Sequence, residues 1–395
     1  MLVVDYIKKR NAAEPHLEKP SEQLLPKSST LKVVFLLPGS GHRPVGGFKV
    51  VYEYANHLAQ HGHTVEVHHI SNIHPRLQGL KRGIKFLKYT YGKAFKAYLP
   101  SGWFALDRNI TPRWLFEFDP QYLKDCDVIV ATAWQTAFFL KTTPQWLSKS
   151  AYLIQHEEFW SGSEEEVKET WAYPLQKIVI SRWLQRSLET EGETGIYIPN
   201  GLDFKRFYMK RPIRERTGNP IMMLYHDLDW KGSADGLKAL EIVKESHPEI
   251  QVTLFGVPNR PKIPDWMEYH QLPTQSALLD LYNTAGIFVA PSWAEGWPLP
   301  PAEAMMCGAA LVATDIGGHR EYAIDGETAL LAQPRDPQDL AQKIIRLLEN
   351  PVLRHSIAQK GNEYIQQFTW QRAGQTFENT LRDIAKTHAL KNSIQ

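Results

Sequence analysis

The chain has 395 residues, 43% of them hydrophobic, and a formal net charge of +2. That length predicts two domains, each able to bury a core, and the near balance of charge gives no argument for a nucleic-acid partner. The only cysteines, Cys126 and Cys307, read as buried thiols in a reducing compartment and not as a disulfide framework or a metal site.

Residues 1–30 are polar and carry Pro15, Pro20 and Pro26, which predicts a leader lying on the surface or partly disordered. No apolar run approaches the ~20 residues needed to span a bilayer. Residues 1–5 are too short for a signal h-region, so a soluble or peripheral cytoplasmic protein is expected. From Leu31 the pattern alternates: a strand at 33–37, a helix within 46–60, a strand over 62–67. Leu80, Ile84, Leu87, Tyr91, Phe95 and Tyr98 then recur at spacings of three and four, with Lys81, Lys85, Lys88 and Lys96 on other faces and no acid from 81 to 96. Two readings stand side by side: a basic aromatic helix over 80–98 lying on an anionic membrane at the inner face of the cell membrane, or a core-packing helix or loop bent at Gly83 and Gly92. Short buried strands follow at 127–131, 151–155, 177–180 and 195–199. The turn Pro199-Asn-Gly-Leu-Asp203 and the charged stretch 210–216 mark a domain boundary. A second strand set occupies 221–225, 252–255, 267–270, 286–290 and 309–313.

Strands alternating with helices predict an α/β protein with two doubly wound parallel sheets. Ligands of such sheets bind at the carboxyl ends of the strands, so two such domains facing each other make a cleft. The expected organisation is a leader over 1–30, a Rossmann-like domain over 31–204, a second over 205–371, and a helix over 372–395 that packs back on the first.

The richest stretch runs from Pro291 to Gly308 and holds Glu295 and Glu303. The apolar run before it predicts a strand. Pro300 and Pro301 suit a first helical turn after it. One glutamate therefore lies in a loop and the other on a helix, beside amides and a positive helix end suited to a diphosphate. Carboxylates beyond an anion site accept hydrogen bonds from hydroxyls, and anion plus polyol is the chemistry of a nucleotide-sugar. A glycoside hydrolase would use the two glutamates as acid and base, but leaves Gly46, Gly47 and Lys231 unexplained.

These motifs together resemble the retaining glycosyltransferases of the GT-B fold, family 4, over most of residues 31–385. Gly46-Gly-Phe-Lys-Val-Val-Tyr-Glu-Tyr-Ala-Asn-His-Leu-Ala-Gln-His-Gly-His63 is similar to the family's glycine loop and first helix; Ile198 to Asp203 is similar to its inter-domain turn. Lys231-Gly232 resembles its phosphate-binding pair, and Glu295-Gly-Trp-Pro-Leu-Pro-Pro-Ala-Glu303 its paired-glutamate signature; Gly317 to Glu321 and Thr369-Trp370 also fit. The resemblance implies a hexosyl- or deoxyhexosyltransferase of cell-surface polysaccharide synthesis, drawing on a nucleotide-diphosphate sugar donor and a glycan or lipid-linked acceptor, with no cofactor and no metal. It assigns Glu303 to the ribose hydroxyls, Glu295 to the transferred sugar and Lys231 to the leaving diphosphate. Amides of Gly296, Trp297 and Leu299, with Gly46 and Gly47, would serve the donor, and His156 would lie beside the sugar. Pro298 stands where the family usually has glycine. The usual arginine before Lys231 is missing, with His226, Arg43 or Arg206 as replacements. Asp227-Leu-Asp229 has the form of a metal motif, but Asp125-Cys-Asp127 has it too. Glu157 and Glu158 read as solvated loop acids. A non-catalytic sugar-binding relative and a nucleotide-sugar epimerase are the rival readings.

Overall fold

The computed structural model describes residues 30–73, 79–216, 220–259 and 261–394; the leader expected over 1–30 lies outside them except for Thr30. The first sheet is built from β1 (Lys32–Pro38), β2 (Thr64–Ile70), β3 (Ile110–Leu115), β4 (Val128–Ala131), β5 (Ser150–Ile154), β6 (Gln176–Val179) and β7 (Ile196–Tyr197). Its spatial order is β3-β2-β1-β4-β5-β6-β7, with all pairs parallel. The second sheet comprises β8 (Ile221–Tyr225), β9 (Val252–Gly256), β10 (Met267–Gln271), β11 (Ile287–Ala290), β12 (Ala310–Thr314) and β13 (Ala329–Ala332), in the order β10-β9-β8-β11-β12-β13 and again all parallel. Central strands such as Val33–Leu37 are continuous apolar runs because a parallel sheet is covered on both faces. In each sheet the winding reverses between the first and fourth strands, β1/β4 and β8/β11, which is where such sheets bind ligands. This is the two-domain GT-B architecture.

Two strands escape the sequence pattern. β3 contains Pro112 and Arg113, tolerated because it is the edge of its sheet; the Arg113 guanidinium meets Glu66 of β2. β13, a four-residue edge strand, is not among the predicted runs.

The helices that position the site are α1 (Gly46–Gln60), α2 (Gly79–Ala94), α3 (Trp134–Lys141), α4 (Glu164–Trp171), α5 (Arg182–Thr190), α6 (Ser233–Ser246), α7 (Gln275–Thr284), α8 (Leu299–Met306), α9 (Pro337–Glu349), α10 (Pro351–Ile365) and α11 (Trp370–Ile394). α2 is a helix and not a bent loop, and it does not pack into the core: of its residues only Gly92 is buried. α11 lies against α1. Phe377 stacks on Tyr54 at 4.1 Å and sits 6.1 Å from Phe35 of β1. All three rings are fully buried, each contributing about 2–3 kcal/mol of apolar burial.

Candidate active site

Five loops at the carboxyl ends of β1, β5, β8, β11 and β12 carry the polar groups. After β8 the chain makes a single 3-10 turn, Asp229–Lys231, ended by Gly232 at φ 66°. A side chain there would be strained, and its Cβ would lie 2.0 Å from the Pro291 carbonyl oxygen. Glycine thus lets the Lys231 turn press directly on the loop after β11, and Trp293 N–H seals the contact by donating to the Trp230 carbonyl at 2.7 Å. Lys231 Nζ then reaches both oxygens of Glu295 at 2.8 Å, and the Ser292 hydroxyl donates to Glu295 Oε1 at 2.8 Å. Burial alone would raise the Glu295 carboxyl, but Lys231 and Ser292 overcome it and hold it below the usual carboxylate range.

His156, after β5, faces the same two residues. Its Nδ1 accepts from the Glu157 N–H at 2.9 Å, which puts the proton on Nε2. Burial, chiefly, pushes its pKa down to about 4, with Lys231 adding to the effect and Glu295 opposing it. The ring is therefore neutral near pH 7, and Nε2–H is a buried donor with no partner. His319, after β12, is the complement. Its Nδ1 pairs with the Thr314 carbonyl at 2.8 Å, which leaves a buried Nε2 acceptor unpaired. Burial lowers its pKa as well, and it too feels Glu295 and Lys231. Unmatched buried polar atoms each cost about 1–3 kcal/mol, so a donor and an acceptor left open around one ion pair mark a place for ligand hydroxyls.

Glu303 occupies a second cluster. It lies in α8, where Pro300 and Pro301 fall in the first turn. It is 7% exposed, and it accepts from Lys49 Nζ at 2.9 Å and from the Tyr282 hydroxyl at 3.2 Å. Glu53, one turn on from Lys49, is pushed up to about 7 by burial; Lys49 and Arg206 oppose the shift and Asp203 reinforces it. Of the replacements for the missing arginine, Arg206 thus stands near this cluster, His226 feels Lys231 and Glu295, and Arg43 is exposed.

The expected residues are therefore partly united. Lys231 and Glu295 form one ion pair, and His156 stands near enough to feel both. Gly296 lies against the first sheet: a Cβ there would fall 1.9 Å from the Gln155 carbonyl oxygen, while Gln155 Nε2 donates to the Gly47 carbonyl at 3.2 Å. Nothing stands within 4 Å of where a Gly46 side chain would project, and no side chain caps the start of α1. Trp297 sends its indole into the core, 4.9 Å from Tyr322 and 5.6 Å from Phe368, so only its backbone lies in the loop. Pro298 precedes α8, its carbonyl taken by the Tyr322 hydroxyl at 2.7 Å; Leu299 begins the helix. Glu157 and Glu158 are not solvated loop acids. Glu157 accepts from the Ser187 hydroxyl at 2.9 Å. Glu158 accepts from the Trp134 N–H at 2.8 Å, tying its loop to the start of α3.

Lys49, Ser292 and His319 were not singled out from the sequence. Lys49 carried a signal: a cation in a helix's first turn opposes the macrodipole and needs a reason to be there. His319 lies inside the Gly317 to Glu321 segment of the resemblance, though no role was read for it; Ser292 carried no signal beyond its position in a loop.

The fold and the site define a GT-B protein. The family model for glycosyl transferases group 1 matches residues 206–364, the segment that holds Lys231, Glu295 and Glu303. A phosphatidyl-myo-inositol mannosyltransferase of Mycobacterium tuberculosis is 29% identical over 207 residues, 48% of this chain and 53% of that protein. The chain thus matches about half the length of this curated relative. Sucrose-phosphate synthase from Thermosynechococcus elongatus superposes with a TM-score of 0.68 at 18% identity, covering 90% of this chain and 99% of that one. HepE of Anabaena, solved with UDP and glucose, gives a TM-score of 0.67 at 16% identity, covering 89% and 100%. Among the described residues no helix is long and apolar enough to cross a membrane.

Proposed function

We propose that the protein is a retaining glycosyltransferase that moves a hexosyl or deoxyhexosyl group from a nucleotide-diphosphate sugar to a glycan or lipid-linked acceptor in cell-surface polysaccharide synthesis, without a metal at the donor site. The observation that carries this reading is the half-buried Lys231–Glu295 pair with neutral His156 beside it. Lys231 neutralises the departing diphosphate. Glu295 and the His156 Nε2–H hold hydroxyls of the sugar. Glu303 accepts from the ribose, exchanging the Lys49 ammonium for hydroxyl donors. The sugar C1–phosphate oxygen bond breaks as the acceptor oxygen bonds to C1 on the same face, and a donor phosphate oxygen takes the acceptor's proton. Catalysis is then largely electrostatic, from charges fixed in advance. The mycobacterial relative's name supports a lipid acceptor, and the Anabaena complex supports a nucleotide donor.

The face of α2 fits the lipid acceptor. Leu80, Leu87 and Tyr91, with Phe95 just past its end, are 64–81% exposed on a helix that also carries Lys81, Arg82, Lys85, Lys88 and Lys93. Arg82 is paired with Glu117, but apolar side chains beside the four lysines suit the interface of an anionic bilayer.

Thermal melts with UDP, GDP, dTDP and ADP, each with magnesium or chelator, test the donor reading. One diphosphate should stabilise the protein equally in both media, and its sugar conjugate should release that diphosphate chiefly when acceptor is present. Binding without turnover would instead favour a non-catalytic relative, and dependence on magnesium would refute the metal-free donor site.

A further inference from the structure

The last turn of α1 and the middle of α11 form a cluster that the donor site does not use. His57 and His61 lie four residues apart and so share one face of α1; their rings stand 4.0 Å apart at 86°. Glu378 of α11, 5% exposed, faces them. Its Oε2 is 2.8 Å from His61 Nδ1 and 3.4 Å from His57 Nε2. The other oxygen, Oε1, is held by Arg382 at 2.8 Å and by His63 Nε2 at 3.2 Å. His63 is fixed in turn, because its Nδ1 accepts from the Leu31 N–H at 2.9 Å.

This arrangement is built, and it is incomplete. Gly374, one turn before Glu378, makes room for the imidazole: a Cβ there would sit 2.4 Å from His57 Nδ1. Yet His57 Nε2 is buried and meets Glu378 Oε2 only at 3.4 Å, in a geometry too poor for a proper hydrogen bond. A shared cation would satisfy it together with His61 and the carboxylate.

We propose that His57, His61 and Glu378 bind one divalent transition-metal ion, zinc fitting best, which fastens α11 to α1. Two imidazoles and a carboxylate are a ligand set zinc accepts, with a fourth tetrahedral position left for water. The three ligand atoms lie within 4.8 Å of one another. Bonds of ~2.0–2.2 Å in a tetrahedron place ligands roughly 3.3–3.6 Å apart, which the carboxylate's distances of 2.8 and 3.4 Å to the imidazoles approach after small side-chain shifts. His61 is 44% exposed and gives the ion its entry. The contacts that Arg382 and His63 make to Oε1 orient the carboxylate, as the partners of metal ligands usually do.

The test is calorimetric titration of the full chain, stripped with chelator, with Zn2+ alone, followed by Co2+ spectroscopy. One equivalent of Zn2+ should bind and raise the melting temperature, and Co2+ should show the intense visible bands of a tetrahedral site. His61→Ala alters a partly exposed side chain and should keep the fold, while weakening Zn2+ binding on the order of a hundredfold. No binding by the unaltered chain, undiminished binding by His61→Ala, or an octahedral Co2+ spectrum would each overturn the proposal. None of these readouts depends on donor turnover, so the glycosyltransferase reading stands or falls separately.

Discussion

Lys49 of α1 and Glu303 of α8 meet at 2.9 Å, joining the helix after the first strand of one sheet to the helix after the paired-glutamate loop of the other. Their side chains are 17% and 9% exposed, so the pair is little screened by solvent. Lys49→Met leaves Glu303 as a buried carboxylate with only Tyr282, and should cost about 2–3 kcal/mol in chemical denaturation. Adding Glu303→Gln should recover part of that loss. Glu303→Ala alone should weaken nucleoside-diphosphate binding, measured by calorimetry. A Glu303→Ala protein that binds nucleotide as tightly as before would remove the ribose role.

The Lys231–Glu295 pair should govern turnover more than binding. Lys231→Ala and Glu295→Ala are each expected to lower kcat about 10²–10³-fold, the usual effect of losing one preorganised charge, with smaller changes in donor affinity. In Lys231→Ala the Glu295 carboxyl loses its main stabilising partner, so burial should push its pKa upward. Full kcat in both variants would show that chemistry happens elsewhere.

His156 gives a pH dependence of definite sign. Its folded pKa, about 4, lies below its ordinary 6.5, so between those values the unfolded chain binds more protons. Stability from this residue is therefore intact above pH 6.5 and lost as pH falls toward 4, by up to about 3 kcal/mol. Glu53 and Glu158, both pushed up to about 7 by burial, act oppositely over a similar range. The clean observable is the difference in melting temperature between the protein and His156→Gln. It should shift against the unaltered protein as pH drops from 7 to 4; a difference constant with pH would place this imidazole in water.

The exposed face of α2 should bind anionic vesicles. Flotation with phosphatidylglycerol liposomes should recover the protein, and Lys81→Glu with Lys88→Glu should abolish recovery at physiological salt. Both lysines are exposed, so the melting temperature should hold. Equal flotation with neutral phosphatidylcholine would argue against charge as the attraction.

Much of this was legible in residues. Continuous apolar runs announced the central strands, and the run before Glu295 with Pro300 and Pro301 before Glu303 announced a strand, a loop and a helix. Two edge strands were not legible: Pro112 breaks the pattern of β3, and the run of β13 was not read as a strand, whereas the edge strands β7 and β10 were. The partners of the two glutamates were hidden for a different reason. Lys49 lies 254 positions from Glu303, and Lys231 lies 64 from Glu295; no local pattern carries such pairings, the first created by the facing of two sheets and the second by the neighbouring of β8 and β11 within one. The indole of Trp297 shows the reverse case, a residue inside the signature whose side chain serves the core while its backbone serves the loop.

The chain passes between its two sheets twice, and the passages touch. Leu202 N–H donates to the Phe368 carbonyl at 3.0 Å, and Leu202 bridges Thr369 in parallel. A Cβ on Gly201 would fall 2.4 Å from the Trp370 nitrogen. The two crossings are therefore tied side by side along one line, like paired cords knotted together, so that any shift of one crossing must carry the other with it. Gly201→Ala would wedge the cords open, and should lower the melting temperature although it lies in neither glutamate cluster.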